Sequence, residues 1–268
     1  MRVWVPRTRT MVSMSSTPRA LQAVFWDMDG TLVDTEPYWI AAEYELVAAH
    51  GGTWGPEQAH ELVGQALTFS AGKLQEAGVA LSVTEIIDHL IGQVAQRCRA
   101  EVPWRPGARE LLSSLHESGV RCALVTMSWK LLAEEIVGAL PAGQLDFIVS
   151  GDMVSRGKPD PEAYHQAFET MAAEHALRTG EQLERHRCVA IEDSVPGTAA
   201  AAESGLVTLA VPHMNELPAS DRWHLMPTLE GVGSADLDRL VGMPVPGPRT
   251  TAAAAPVSAG AGPGAQRP

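Results

Sequence analysis

The feature that most constrains the fold of this sequence is an alternation of short apolar runs with longer stretches of helical periodicity, continuing from residue 21 to residue 243. Such alternation is typical of βα units arranged around a mostly parallel sheet. A chain of 268 residues is long enough for one large domain, or for a core domain that carries a small insert. We therefore expect an α/β protein with strands at residues 23–26, 121–126, 147–150, 188–191 and 207–210.

One region interrupts this alternation. Residues 37–103 contain apolar residues at helical spacing but no convincing strand, which predicts a helical insert. Breaker residues flank it, with Pro37 at one end and Pro103, Pro106 and Gly107 at the other. Two hinges would thus join the insert to the sheet domain as a cap, and caps that open and close over a site are a common way to exclude water.

The two ends of the chain differ in composition from the part between them. Residues 1–20 contain four Arg and no acidic residue, and they lack the continuous apolar stretch of a secretory signal. Residues 245–268 consist mostly of Pro, Gly, Ala and Ser. We expect both segments to be disordered, which leaves a core of residues 21–36 and 104–244 and a helical cap of residues 37–103.

Composition and charge exclude several classes of function. The 20 Lys+Arg and 32 Asp+Glu give a net charge of -12, so a nucleic-acid backbone would be repelled. No apolar run approaches the roughly 20 residues of a membrane-spanning helix. Three scattered cysteines argue for a reducing compartment. We expect a cytoplasmic protein that binds neither nucleic acid nor membrane, and these residues do not indicate an oligomeric state.

Two aspartates directly follow the first apolar run. Asp27 and Asp29 stand at the carboxyl end of a predicted strand, where ligands bind in open parallel sheets. Residues two apart in an extended chain point to the same side with Cα atoms about 6 to 7 Å apart. Two carboxylates this close repel unless a cation lies between them or one is protonated. The pair indicates a Mg²⁺ site with one carboxylate as nucleophile and the other as proton donor, and the alternative is a turn.

Three further polar motifs occur later in the chain. Thr126 and the backbone N–H groups after it, including that of Met127, form a candidate phosphate-binding site, although Thr at a strand end also caps helices. Lys158, between a glycine and a proline, is a candidate cation for phosphate and clustered acids, and the alternative is a solvated lysine. Glu192 and Asp193 form a second acid pair at a strand end, where Asp193 is alternatively a helix N-cap.

In order and spacing, these residues resemble the motifs of the haloacid dehalogenase-like hydrolase superfamily, in its phosphatase and β-phosphoglucomutase-like branch with a helical cap. Residues 27–31 are similar to the first motif and Thr126 to the second. Lys158 is similar to the third motif, and Glu192 and Asp193 to the fourth. The stretches DGTLVDTEP, GKPDPEAY and IEDSVPG carry the resemblance, which extends over roughly residues 23–212. It implies a Rossmann-like parallel sheet in a three-layer α/β/α core with an inserted α-helical cap.

The resemblance also implies a mechanism. Asp27 would attack the substrate phosphorus and form an aspartyl-phosphate, while Asp29 protonates the leaving oxygen and then deprotonates the attacking water. Mg²⁺ is the implied cofactor, held by the Asp27 carboxylate, the Asp29 backbone carbonyl and Asp193. Phosphate binding is assigned to Thr126, Met127 and the catalytic Lys158, and Glu192 completes the metal site through water or orients Lys158.

The chain departs from the mutases of this branch at two places. Those mutases carry a histidine twelve residues after the nucleophile, where this sequence has Trp39. Residues 62–67 lack the basic residue that holds a second phosphate in the mutases. We therefore favour a phosphatase that hydrolyses a small phosphorylated metabolite such as a sugar phosphate. The alternatives are a mutase of the β-phosphoglucomutase type and a non-catalytic module that binds phosphorylated metabolites.

The cap selects the substrate in enzymes of this kind. A cap that closes leaves room for little more than a small molecule. The candidate selectivity residues are Glu36, Trp39, Tyr44, Gln65 and Lys73. The alternatives are that Trp39 and Tyr44 belong to the core and that Lys73 is an exposed helix residue.

Overall fold

The computed structural model of the chain describes residues 20–63 and 65–245, so nearly all of the two predicted disordered ends lies outside it. Within these residues, helices flank a six-stranded parallel sheet, which confirms the predicted α/β fold class. The strands are β1 Ala23–Trp26, β2 Arg121–Val125, β3 Ile148–Val149, β4 Cys188–Glu192, β5 Val207–Ala210 and β6 His224–Leu225. The α-helices are α1 Glu36–Ala49, α2 Pro56–Leu62, α3 Leu67–Glu76, α4 Val83–Ala100, α5 Ala108–Glu117, α6 Lys130–Gly138, α7 Glu162–Thr179, α8 Val195–Glu203 and α9 Ser234–Leu240.

The strand order of the sheet is β3-β2-β1-β4-β5-β6. The chain passes from β1 to β2 on one side and later returns to β4 on the other, and the register aligns Trp26 with Leu124 and Ile191. The order therefore reverses beside β1, and in open parallel sheets ligands bind beyond the carboxyl ends of the strands at such a switch point. The fold thus directs a ligand to the residues that follow β1, β2 and β4.

The sheet is covered by helices on both faces, because alternate residues of each strand point to opposite sides. Val24 and Trp26 belong to a buried cluster with residues of α5, α6 and α9. Ala23 and Phe25 belong to a second buried cluster with residues of α7 and α8. These two clusters make the three-layer α/β/α core, with the central strands buried on both faces.

The four helices α1–α4 lie between β1 and β2 in the chain, and we call them the cap helices. The longest, α4, begins at a capping box, in which Ser82 Oγ accepts a hydrogen bond from Glu85 N and the Glu85 carboxylate accepts one from Ser82 N. Its buried face includes Ile86 and Leu90 and packs on α1 and α3. The helical spacing of apolar residues in this region therefore corresponds to a packed helical layer.

Two chain segments connect the cap helices to the sheet, and they lie side by side. Val33 forms an antiparallel bridge with Trp104, and Asp34 N donates to Pro103 O at 2.7 Å. The exit from β1 and the return toward α5 are thus hydrogen-bonded to each other, so both connections leave the sheet at one place.

The structure differs from the sequence prediction at the edge of the sheet. β6 was not predicted because it has only two residues, His224 and Leu225, and no apolar run marks it. Its place depends on pairing with β5, where Met226 N donates to Ala210 O at 2.9 Å. In the described part of the chain, no helix combines the length and apolar content that crossing a bilayer requires.

Candidate active site

The predicted motif residues meet at the carboxyl edge of the sheet. Asp27 and Asp29 follow β1, Thr126 follows β2, and Glu192 ends β4 with Asp193 next to it. Because the three strands are parallel and adjacent, their ends present these side chains to one space. The candidate site is therefore assembled by sheet order from segments that are far apart in the chain.

Lys158 reaches this edge from the loop that precedes α7, and it binds three oxygen atoms. Its Nζ lies 2.6 Å from Asp27 Oδ1, 2.6 Å from Glu192 Oε1 and 2.9 Å from Val125 O. The side chain is only 5% exposed, and the two carboxylates hold the pKa of Lys158 above its ordinary value despite burial. Lys158 is therefore a buried, charged group fixed between two acids, and it is not a solvated surface lysine.

Glu192 is fully buried and is held by a second donor. Tyr164 OH donates to Glu192 Oε1 at 2.6 Å, and Lys158 Nζ lies 5.2 Å from the centre of the Tyr164 ring. These contacts fix the orientation of the Glu192 carboxylate, which in turn fixes Lys158. This arrangement favours a role for Glu192 in orienting Lys158, one of the two roles implied by the resemblance.

Three carboxylates form a compact group that suits a hard divalent cation. Oxygen atoms of Asp27, Glu192 and Asp193 lie within 4.8 Å of one another. Burial and the charge of Glu192 raise the pKa of Asp27 to about 7, against the opposing effect of Lys158. Burial and the charges of Asp27 and Glu192 raise the pKa of Asp193 to about 9. One lysine thus does not neutralise the group, and a set of carboxylate oxygens is the donor chemistry that fits Mg²⁺.

Asp29 points into a separate set of hydrogen-bond donors. Ser128 Oγ and Thr126 Oγ1 donate to Asp29 Oδ2 at 2.7 and 3.3 Å. On the other oxygen, Thr35 Oγ1 donates a short hydrogen bond and Trp39 Nε1 lies at 3.5 Å. The Asp29 side chain is therefore held by residues of both the sheet edge and α1, apart from the Lys158 network.

Gly30 allows the segment after β1 to pass close to Asp193. Its φ is +88°, a left-handed conformation that glycine adopts without strain. A Cβ at this position would lie 2.1 Å from Asp193 Oδ2, far inside van der Waals contact. The glycine therefore makes room for the carboxylate that belongs to the candidate metal site.

We expect Gly30→Ala to displace Asp193 and weaken Mg²⁺ binding. The matched control is Gly119→Ala, because Gly119 also has a positive φ of +74°, but a Cβ added there would meet nothing within 4 Å. Both variants should lose about 1 kcal/mol or more of folding free energy from backbone strain. Only Gly30→Ala should lose most of the rise in melting temperature on adding Mg²⁺, and an equal Mg²⁺ response in both variants would contradict the assignment.

The site opens into a cavity of about 110 Å³ between the sheet edge and the cap helices. Six of its lining residues were predicted for catalysis, phosphate or metal, and three were predicted for selectivity. Tyr44, on α1, does not line the cavity, and Lys73, on α3, pairs with Glu61 at 3.2 Å outside it. The lining residues that the sequence singled out are Asp27, Asp29, Thr126, Met127, Lys158, Asp193, Glu36, Trp39 and Gln65.

Three residues of the site were missed by sequence reasoning. Ser128 was not named as a site residue, yet it makes a shorter hydrogen bond to Asp29 than Thr126 does. Tyr164, in the stretch GKPDPEAY, was not identified as a partner of Glu192. Glu43 lines the cavity from α1, and its spacing of seven residues from Glu36, two helical turns, was the available signal.

We expect Glu43→Gln to stabilise the protein increasingly as the pH rises from 4 to 7. Burial and the charge of Glu36 raise the pKa of Glu43 from 4.5 to about 8, while a hydrogen bond from Trp54 opposes the rise. The folded state therefore keeps a proton that the unfolded state loses above pH 4.5, so this group makes folding less favourable as the pH rises through that window. The difference in free energy of unfolding between the variant and the parent should therefore grow by up to about 3 kcal/mol over this pH range.

Urea denaturation of both proteins at several pH values measures this change. Glu45→Gln, at an exposed position of the same helix, is the control for loss of a carboxylate, and it also removes the surface ion pair with Arg97 at 2.7 Å. A difference in free energy of unfolding between Glu43→Gln and the parent that stays constant from pH 4 to pH 7 would contradict a raised pKa of Glu43 as the cause.

Comparisons with known proteins agree with this geometry. Residues 21–205 match a family model described as haloacid dehalogenase-like hydrolase. Protein CbbY of Cereibacter sphaeroides is 30% identical over 208 residues, which cover 72% of this chain and 84% of that protein. Hexitol phosphatase B of Escherichia coli strain K12 is 26% identical over 203 residues, which cover 74% and 86% of the two chains.

The fold is also similar to that of a solved structure, a CbbY mutant from Rhodobacter sphaeroides in complex with xylulose-(1,5)bisphosphate. Its TM-score is 0.68 at 27% sequence identity, and the match covers 81% of this chain and 99% of that one. The family match contains every motif residue of the site, from Asp27 to Asp193. Strand order, the carboxylate group around Lys158 and these matches lead to one conclusion: the chain belongs to the haloacid dehalogenase-like hydrolase family of enzymes.

Proposed function

We propose that this protein is a Mg²⁺-dependent phosphatase that hydrolyses a small phosphorylated metabolite, such as a sugar phosphate, through an aspartyl-phosphate. The observation that carries the proposal is the position of Asp27, which combines a nucleophilic carboxylate with Lys158 at 2.6 Å and two neighbouring acids. Phosphoryl transfer needs an aligned nucleophile and compensation of the charge on three phosphoryl oxygens. A buried cation and a candidate metal site beside one carboxylate meet both needs.

Asp27 and Asp29 have different roles in the two chemical steps, which are formation and hydrolysis of the aspartyl-phosphate. The Asp27 carboxylate attacks phosphorus, and the bond to the leaving oxygen breaks as Asp29 donates a proton to that oxygen. Asp29 then removes a proton from water, which attacks the phosphorus of the aspartyl-phosphate, so that inorganic phosphate leaves and Asp27 is regenerated. Ser128, Thr126 and Thr35 keep Asp29 in one orientation for this transfer.

The remaining polar residues bind charge at the site. Asp27, Asp193 and the backbone carbonyl of Asp29 would hold Mg²⁺, which when bound supplies positive charge to the phosphoryl oxygens. Lys158 supplies a second positive charge, and Glu192 with Tyr164 holds it in place. Among the N–H groups after Thr126, that of Ser128 already donates to Thr126 Oγ1 at 3.0 Å and that of Lys130 to Asp152 Oδ1 at 3.0 Å. The N–H of Met127 donates to no acceptor in the described part of the chain, and it is the group that we assign to the phosphate.

The size of the cavity supports a small substrate. Its volume of about 110 Å³ is well below the several hundred Å³ of an open ligand pocket. Movement of the cap helices would admit and release a substrate, and in a closed position they would exclude water from the aspartyl-phosphate. A phosphate group that remains attached to a macromolecule would not be enclosed in this way.

Two observations favour hydrolysis over transfer to a second sugar position. Trp39 lies beside Asp29, and its indole N–H does not ionise near neutral pH, so it cannot transfer a proton as the histidine of the mutases does. The cap helices contribute no Lys, Arg or His to the described lining of the cavity, so they offer no cation for a second phosphate. A bisphosphate intermediate would therefore have its second phosphate without a partner.

Release of inorganic phosphate tests the proposal directly. We expect turnover of p-nitrophenyl phosphate and of at least one member of a sugar-phosphate panel with Mg²⁺, and loss of turnover with EDTA. Absence of phosphate release from every substrate by folded protein with Mg²⁺ would refute the proposal. Conversion of a hexose 1-phosphate to its 6-phosphate without net phosphate release would favour the mutase instead.

A further inference from the structure

The wall of the cavity opposite the phosphate site carries two carboxyl groups. Glu36, Trp39 and Glu43 occupy one face of α1, at positions three and seven residues apart, and all three line the cavity. The catalytic groups line the same cavity from the sheet side. A bound substrate whose phosphate lies at Asp27 therefore directs the rest of its structure toward these two glutamates.

The two glutamates have few partners within the protein. Glu43 is 5% exposed, and one of its oxygens accepts a hydrogen bond from Trp54 Nε1 at 3.3 Å. Among the described residues, no group donates a hydrogen bond to its other oxygen or to the carboxylate of Glu36, and neither residue forms an ion pair. Glu43, which is buried, and Glu36, which is half-buried, therefore border the cavity with oxygens that are available to form a hydrogen bond or an ion pair with a ligand.

The described residues provide no positive charge for this wall. Lys158 is the only cation in the described lining, and its Nζ is already bound to Asp27, Glu192 and Val125 O. The electrostatics agree with the geometry, since burial and the nearby acids raise the pKa of Glu36 to about 7, and burial raises that of Glu43 to about 8. The pair is thus deficient in positive charge, and a cation in the cavity would correct this.

We propose that Glu36 and Glu43 bind a protonated amino group on the part of the substrate remote from its phosphate, so that amino-bearing monophosphates are the preferred substrate class. The inference rests on the proposed phosphatase function. A second phosphate at this wall would have no cationic partner among the described lining residues of the cap helices. A hydroxyl would form a hydrogen bond, but a bond between an ammonium and a carboxylate is about twice as strong as a neutral one.

The test compares pairs of substrates that differ only in an amino group and a hydroxyl. We would measure kcat/KM for glucosamine 6-phosphate against glucose 6-phosphate, and for 3-aminopropyl phosphate against 3-hydroxypropyl phosphate. In the parent enzyme, we expect a preference of about tenfold or more for the amine in at least one pair, the usual effect of a charge-assisted hydrogen bond. p-Nitrophenyl phosphate, which has neither group, reports phosphatase activity independently of this preference.

Three variants assign the preference to the two glutamates. Glu43→Gln and Glu36→Gln should each reduce the amine-to-hydroxyl ratio to within about threefold of unity, because an amide keeps the shape but cannot lose a proton to become the anion that an ammonium group binds. The amide oxygen introduced by Glu43→Gln can still accept from Trp54, so this variant should fold, and Glu36→Gln tests the same point at a second position. Glu45→Gln, on the exposed side of α1, should keep the ratio of the parent.

Each result decides between distinct conclusions. An amine preference that disappears in the two cavity variants and persists in Glu45→Gln supports the inference. Equal use of amine and hydroxyl with normal turnover of p-nitrophenyl phosphate would overturn the inference and leave the phosphatase function intact. A preference that persists in both cavity variants would overturn the assignment to these residues. No turnover of any substrate, including p-nitrophenyl phosphate, would refute the phosphatase function and the inference together.

Discussion

Asp27→Asn is expected to lower phosphatase activity by at least about 10⁴-fold without lowering thermal stability, because removal of the proposed nucleophile would abolish the covalent route. The amide has the same shape and still presents an oxygen to Lys158 Nζ, which is 2.6 Å from Asp27 Oδ1 in the parent. It also removes one of three crowded carboxylates, and burial with the charge of Glu192 raises the pKa of Asp27 to about 7. The loss of activity should therefore accompany an unchanged or higher melting temperature.

Phosphate release and thermal denaturation of the same samples measure the two effects. Asp34→Asn is the matched control, since Asp34 lies in the same segment but pairs with His213 at 2.8 Å and does not line the cavity. This control should keep activity within a few-fold of the parent. Residual activity of Asp27→Asn above about 1% of the parent would contradict its role as nucleophile.

The second large effect is expected for Lys158→Met, which should damage stability and activity together. The variant leaves the buried Asp27 and Glu192 carboxylates without their cation, and breaking a buried ion pair from one side costs about 3–5 kcal/mol of folding free energy. Loss of the positive charge that we propose for the phosphoryl oxygens should lower kcat by about 10²–10³-fold. Mg²⁺ should restore part of the stability, because it adds positive charge to the same carboxylates, but not the activity.

Urea denaturation with and without Mg²⁺, together with phosphate release, tests this prediction. Lys130→Met removes a lysine that is 57% exposed and lies 3.6 Å from Glu134, so it should change stability by no more than about 0.5 kcal/mol. If Lys158→Met were as stable as the parent without Mg²⁺, Lys158 would not be the cation that holds the acids together.

Much of the site was predictable because strand ends and motif spacings are local properties of the chain. Asp27 and Asp29 follow a four-residue apolar run that forms β1 as predicted, and Glu192 ends the apolar run of β4. Glu43 and Tyr164 were not predicted, since each lies on a helix where an acid or an aromatic residue is ordinary. Glu43 matters because it lines the cavity opposite the catalytic groups, and Tyr164 matters because its hydroxyl group donates a hydrogen bond to Glu192.

The sequence by itself determined the α/β class, the positions of the strand ends and the types of residue at those ends. Hydrophobic periodicity and residue order are local properties of the chain, so they can be read without the tertiary structure. Only the tertiary structure decided which groups touch. Lys158 meets Asp27 across 131 residues of chain, and Ser128 meets Asp29 across 99, through the order of strands in the sheet. It also decided that the cap side of the cavity is acidic, since the packing of α1 over the sheet edge turns Glu36 and Glu43 toward the site. Such contacts arise from the summed packing of many distant residues, which no local pattern encodes.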